Sequence, residues 1–234
     1  GLESGDFLYA AYGAATETWA AIIATQDLAQ FVRDYEPTVA LVEKLKNRGF
    51  ADSVKIILAW ARALQGLTHG EQSLSDDDVD EETYLATYAN NPFFGTFHAV
   101  ARLHLACLLG TPAQMLDAAR TSAECSSHVP GTVWPLLHDF WNAVALAANA
   151  GQLDDDDDDD DGDGDAARRG AWCRDIAAAR ERFVVLAGHC PENFHAQALL
   201  LSALCEKAEG RAQAALRCAE QALEFTAGAG QIQQ

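Results

Sequence analysis

Apolar residues recur along this chain at the three- and four-residue spacing of amphipathic helices, and Gly, Pro and Asp-rich stretches separate the periodic segments. Residues 7–25 predict a first helix, with Phe7, Ala11, Ala14, Ala15, Thr18 and Ile22 near one stripe and Asp6 as its N-cap. A second helix is expected over 27–48, kinked or interrupted near Pro37 and ended by Gly49. Asp52 reads as the cap of a third, 53–67, which places Val54, Ile57, Leu58, Ala61, Leu64 and Gln65 on one side. After an acidic loop at 70–80 come a short helix at 81–89 and the break Asn90-Asn91-Pro92. Helices are then expected at 95–109 and 112–125, the latter with Thr111 as N-cap and Pro112 at its first position. Pro130-Gly131 precedes a helix at 132–150. An acidic insertion at 151–168, read as disordered, leads to three final helices at 170–188, 194–209 and 211–227.

About ten helices joined mostly by short turns make the expected fold all-α. Pairs of about 15 residues each, bordered by Gly or Pro, are the pattern of a TPR-like α-α superhelix with degenerate repeats. The clearest unit is the last, where Gly210 separates two helices and Ala215, Ala219 and Ala222 fall on one face of the second. Gly110 holds the corresponding turn position between the helices at 95–109 and 112–125. Residues 1–234 are accordingly read as one helical-repeat domain.

Charge changes the picture locally. The net charge is −19, but segments 76–82 and 154–165 hold six and ten negative charges, so the rest of the chain is only mildly acidic. The 16 basic residues are scattered, which excludes a nucleic-acid-binding surface. No stretch has the composition of a signal peptide or a membrane span. The six cysteines, Cys107, Cys125, Cys173, Cys190, Cys205 and Cys218, include no C-x-x-C pair. Most fall on apolar helix faces, which suits a reducing, cytoplasmic setting.

Three stretches carry a family resemblance. Gly5-Asp6-x-x-Tyr9-Ala10-x-Tyr12 opens the first helix. Tyr88-x-Asn90-Asn91-Pro92 precedes the Phe97–Leu109 segment and a Gly turn. Cys190-Pro191-Glu192-Asn193-Phe194, about 18 residues after Trp172, leads through a helix to Gly210 and an alanine-rich helix. In order and spacing these resemble the TPR-like helical region of multidomain signalling proteins. Such proteins join a serine/threonine-kinase-like domain, a predicted STAND-type ATPase, this region, and then often GAF and histidine-kinase domains. The resemblance implies a segment excised from a larger polypeptide, with kinase and ATPase activities outside it. The acidic run at 154–165 departs from the family pattern.

Candidate chemistry is sparse. Asp157, Asp159, Asp161, Gly162, Asp163 and Asp165 stand at EF-hand-like offsets, but the twelfth position is Arg168 instead of a bidentate Glu. A solvated insertion is the better reading. His98 and His104 are six residues apart, off a common helical face, and His189, Cys190 and His195 lack a recognised ligand spacing. Residues Cys190 to Phe194 read as turn chemistry. No phosphate loop, nucleophile elbow, kinase catalytic loop or H-E-x-x-H motif occurs. The expectation is therefore a non-enzyme that needs no cofactor.

The expected function is interaction and signal relay, with a protein or flanking domains of the same polypeptide as partners. The alternative is a free-standing TPR-type adaptor that binds a peptide. For that version Lys44, Lys46, Arg48, Lys55 and Arg62 form the one basic cluster on adjacent helices, with Lys55 and Arg62 as its testable members. Trp134 and Trp141, seven apart on one helical face, are candidates to line a groove, although core packing is the commoner role for tryptophan.

Overall fold

The computed structural model describes residues 5–152 and 162–229, in which ten α-helices and no strand occur. They are α1 (Phe7–Ala24), α2 (Leu28–Lys44), α3 (Arg48–Leu64), α4 (Glu81–Tyr88), α5 (Pro92–Leu109), α6 (Pro112–Ser126), α7 (Trp134–Ala150), α8 (Gly162–His189), α9 (Pro191–Ala208) and α10 (Ala212–Ala229). The chain is all-α, as its periodicity predicts. It divides into two compact units. One comprises 1–110 with 120–135, the other 111–119 with 136–234, so α6 and α7 contribute to both.

In the first unit α3 is the central helix, packed on α1, α2 and α5. It is buried nearly all round, through Val54, Ile56, Ile57, Leu58 and Trp60 among others, and not along one stripe as its sequence suggests. At α1, Ala11 and Ala15 are fully buried, as is Ala51 of α3 apart from a trace. Side chains this small allow helices to approach closely. An aromatic cluster joins α1, α5 and the first residue of α7. The Trp19 ring stands 4.6 Å from Phe97, and Phe97 stands 5.0 Å from Trp134. The polar edge of Trp19 is satisfied by Ser53 Oγ at 3.2 Å, which lets the indole be buried without an unpaired donor.

Several helix ends differ from expectation for local reasons. Asn47 caps α3 by accepting from the Phe50 amide at 3.1 Å, so the helix starts at Arg48 and Asp52 lies inside it. Gly49 therefore does not end α2. It sits in the first turn of α3, where a Cβ would fall 2.5 Å from Phe94 Cζ. The turn out of α2 is made by Lys46, whose φ is 57°. Pro37 lies inside α2 without ending it. Packing against α3 outweighs its lost hydrogen bond. Phe7, expected on the core stripe, is exposed. The residues from His69 to Asp80 form the expected acidic loop, tied down by Arg62 and Glu81.

The second unit is built from α8, α9 and α10, with α9 packed on both others. Connections of one to three residues make these neighbours antiparallel. Phe140 and Leu146 of α7, Ile176 and Phe183 of α8, and Leu201 and Cys205 of α9 form its core. The start of α6 has a reciprocal capping box. The Thr111 amide donates to Gln114 Oε1 at 2.8 Å, and the Gln114 amide donates to Thr111 Oγ1 at 3.4 Å. Gly210 is left-handed, with φ 76°, as its turn role requires. Gly110 is not. It is extended, and a Cβ there would meet the Ala106 carbonyl oxygen at 2.6 Å, so a close approach explains that glycine.

Two expectations at the start of α8 and α9 need correction. Residues 162–168, read as part of a disordered insertion, belong to α8, where Asp165 and Arg168 pair at 3.3 Å one turn apart. A helix there does not supply the second half of an EF-hand loop. Asp157, Asp159 and Asp161 lie outside the described residues. Helix α9 begins at Pro191, not 194. Asn193 is then inside it and donates to Cys190 Sγ at 3.1 Å instead of capping.

Candidate functional site

The strongest concentration of charge chemistry lies on the α2–α3 pair and the loop that follows. Three cations recur at heptad spacing along α3: Arg48, Lys55 and Arg62. Two carboxylates recur at the same spacing on α2: Glu36 and Glu43. Because the helices run antiparallel, the two series meet. Lys55 donates to Glu43 at 2.7 Å and Arg62 to Glu36 at 2.9 Å.

Arg62 also donates to Asp76 at 2.8 Å and Asp78 at 3.2 Å. Its side chain is only 14% exposed and that of Asp76 only 6%. Asp76 in turn accepts from the backbone amides of Asp78 and Val79, both at 2.8 Å. The expected acidic loop is thus an ordered turn whose central carboxylate faces Arg62. Leu74 and Val79 anchor it in the core.

Glu81, at the start of α4, fixes the other end. Its carboxylate accepts from the Leu74 amide at 3.2 Å and stands 2.6 Å from His98 Nε2 and 3.5 Å from Arg102 Nε. Burial disfavours its charge, but His98, Arg102 and the Leu74 amide together hold its carboxyl below the usual glutamate range. The sequence reading missed this cluster. Glu81, His98 and Arg102 share no motif, and only folding brings α4 beside α5. Nearby, the Tyr88 hydroxyl donates to Asp52 at 2.8 Å and is pushed far above the usual tyrosine range, first by burial and then by that carboxylate.

The four residues proposed from sequence therefore have settled positions. Lys55 and Arg62 come together on one face of α3, each engaged by the protein's own carboxylates. Trp134 is buried in the first unit against Phe97, and Trp141 packs beside Phe140 on the core of the second. Trp134 is a core residue, and Trp141 is half-buried against the core. Within the basic cluster Lys44 and Lys46 form no ion pair among the described residues, and Arg48 faces outward while pairing with Asp52 at 3.4 Å one turn on.

Other candidate chemistry is buried or dispersed. His104 lies edge-on to Trp60 with centroids 5.5 Å apart, and burial drives its pKa down to about 4. Burial likewise pushes the Cys107 thiol up to about 12, far from a reactive thiolate. No group of three or more metal-ligating side chains occurs among the described residues. Helix α5 is long and apolar enough to cross a membrane by length and composition, but half of that stretch is buried inside the protein. No protein-family model matches the chain, and no curated protein and no solved structure matches it.

Proposed function

We propose that this chain is a non-catalytic interaction and relay segment built from degenerate TPR-like helix pairs. The observation that carries this reading is the outward apolar surface on helices whose other faces are packed. Phe7, Leu8 and Tyr9 project from α1, and Leu216 and Leu223, seven residues apart, project from α10, all more than half exposed. Large apolar side chains facing out in groups mark surfaces that meet other protein. The sequence resemblance supplies the context, a helical region between an ATPase and downstream signalling domains of one polypeptide. In that setting the helices pass a binding event to their neighbours as rigid bodies.

Two measurements test it. An antibody against this chain should detect in source cells a polypeptide several times larger than 25.2 kDa. Deleting these helices should uncouple regulation of the parent from its signal. A band near 25.2 kDa, or regulation unchanged by the deletion, defeats the relay reading.

A peptide-binding adaptor is the second reading. The cations at the α2–α3 turn favour it. Lys55 and Arg62, already engaged, do not.

A further inference from the structure

Three of the four lysines in the chain, Lys44, Lys46 and Lys55, gather at the α2–α3 turn together with Arg48. Lys46, Arg48 and Lys55 line a shallow groove of about 340 Å³ with Glu43, Ala51 and Asp52. Both carboxylates in that groove are engaged. Glu43 holds Lys55 at 2.7 Å, and Asp52 accepts from Tyr88 at 2.8 Å and lies 3.4 Å from Arg48 Nε. Positive charge is left over. Lys44 and Lys46 form no ion pair among the described residues, and the Arg48 side chain is 78% exposed.

One of these cations has a backbone conformation that folding disfavours, and a second stands at the helix end that opposes its charge. Lys46 has a left-handed backbone, φ 57°, a conformation that penalises any residue with a Cβ. Every other left-handed residue described, Gly5, Gly66, Gly131 and Gly210, is glycine. Arg48 is the first residue of α3, at the positive end of the helix dipole, with no acidic residue in that turn and only Asp52, at 3.4 Å one turn on, to offset its charge. Backbone preference alone selects glycine or asparagine at 46, and the helix dipole disfavours a cation at 48. Positions where local preference is overruled are where a function other than folding is expected.

We propose that the α2–α3 turn is a docking site for an acidic peptide segment of a protein partner, held by Lys44, Lys46 and Arg48. The proposal rests on the interaction reading above and names its partner class. An extended peptide presents alternate side chains about 6.6 Å apart on one face, so two or three carboxylates suffice for the free cations. A phosphate backbone or an anionic bilayer fits less well. Glu43 and Asp52 interrupt the patch, and the net charge of −19 opposes the approach of any large polyanion.

The test uses the full chain and a fluorescein-labelled hexaglutamate amide, followed by anisotropy. Binding should saturate and weaken with rising salt. The double variant Lys46→Gly, Arg48→Gln should bind about tenfold more weakly. Its thermal unfolding midpoint should hold or rise by about 2–4 °C, because glycine relieves the left-handed residue, while removing a cation from the helix N-terminus offsets the loss of the exposed Arg48–Asp52 pair. Lost binding with undiminished stability separates docking from a structural role. Unchanged binding by the double variant overturns the proposal, as does tighter binding of duplex DNA or phosphatidylserine vesicles than of the peptide. Failure of the unaltered chain to bind hexaglutamate also removes this site. The deletion experiment then judges the relay reading independently.

Discussion

Lys55 of α3 holds Glu43 of α2 at 2.7 Å, and one heptad along the same pair of helices Arg62 holds Glu36 at 2.9 Å. The two contacts have the same chemistry in different surroundings. Glu43 is half exposed, so water competes for the first. Arg62 is withdrawn from water and also anchors the buried Asp76, so the second belongs to a network.

Replacing Arg62 with Gln should accordingly cost about 2–4 kcal/mol, because it leaves the Asp76 carboxylate buried beside no cation. Replacing Lys55 with Gln should cost less than about 1 kcal/mol. Urea unfolding of the two variants measures the contrast, and equal costs would show that the acidic loop is not held through Arg62.

Stability should fall with acidification in two stages. Burial lowers the His104 pKa to about 4, so between an unfolded value of about 6.5 and that point the unfolded chain binds the extra proton. Folding therefore loses about 3 kcal/mol as pH drops through that window. Glu81 adds to the loss below the ordinary glutamate range, since its folded pKa is depressed and its contribution disappears as the carboxylate is protonated. Urea titrations at stepped pH should show this slope, and His104→Leu should reduce the upper stage, to which His138, also held below its usual range by burial, adds.

Two helical glycines should respond in opposite directions to alanine. At Gly13 in α1 an added Cβ would have nothing within 4 Å, so Gly13→Ala should stabilise by about 0.5–1 kcal/mol through helix propensity. At Gly49 it would fall 2.5 Å from the Phe94 ring, which is wedged against Phe50, Tyr88 and Phe93. Gly49→Ala should destabilise by about 1–3 kcal/mol despite the same propensity gain. Thermal melts of the pair decide it.

Native alkylation should spare Cys107. With its thiol lifted to about 12 by burial, it has almost no thiolate at neutral pH and should react with iodoacetamide only as the protein unfolds. Mass spectrometry before and after denaturation reads the difference, and prompt native labelling would contradict the burial.

The sequence by itself determined the helices and most of their turns. Helical spacing of apolar residues, Asp6 at an N-cap, Thr111 with Pro112 and Gly210 are local signals, and each acts within a few residues of itself. Where the rules competed, tertiary contacts decided. Asn47 capped α3 in place of Asp52, and Gly49 became the seat of an aromatic ring instead of a helix stop. What no local pattern contained was pairing across distance. The Arg62–Asp76 anchor, the Glu81–His98–Arg102 cluster and the burial of Trp134 depend on which helices pack together, and helix packing is chosen by surfaces far apart in the chain. The basic cluster was legible as composition. Which of its cations are spent on the fold, and which remain free at the α2–α3 turn, followed only from the neighbours that the tertiary structure gave them.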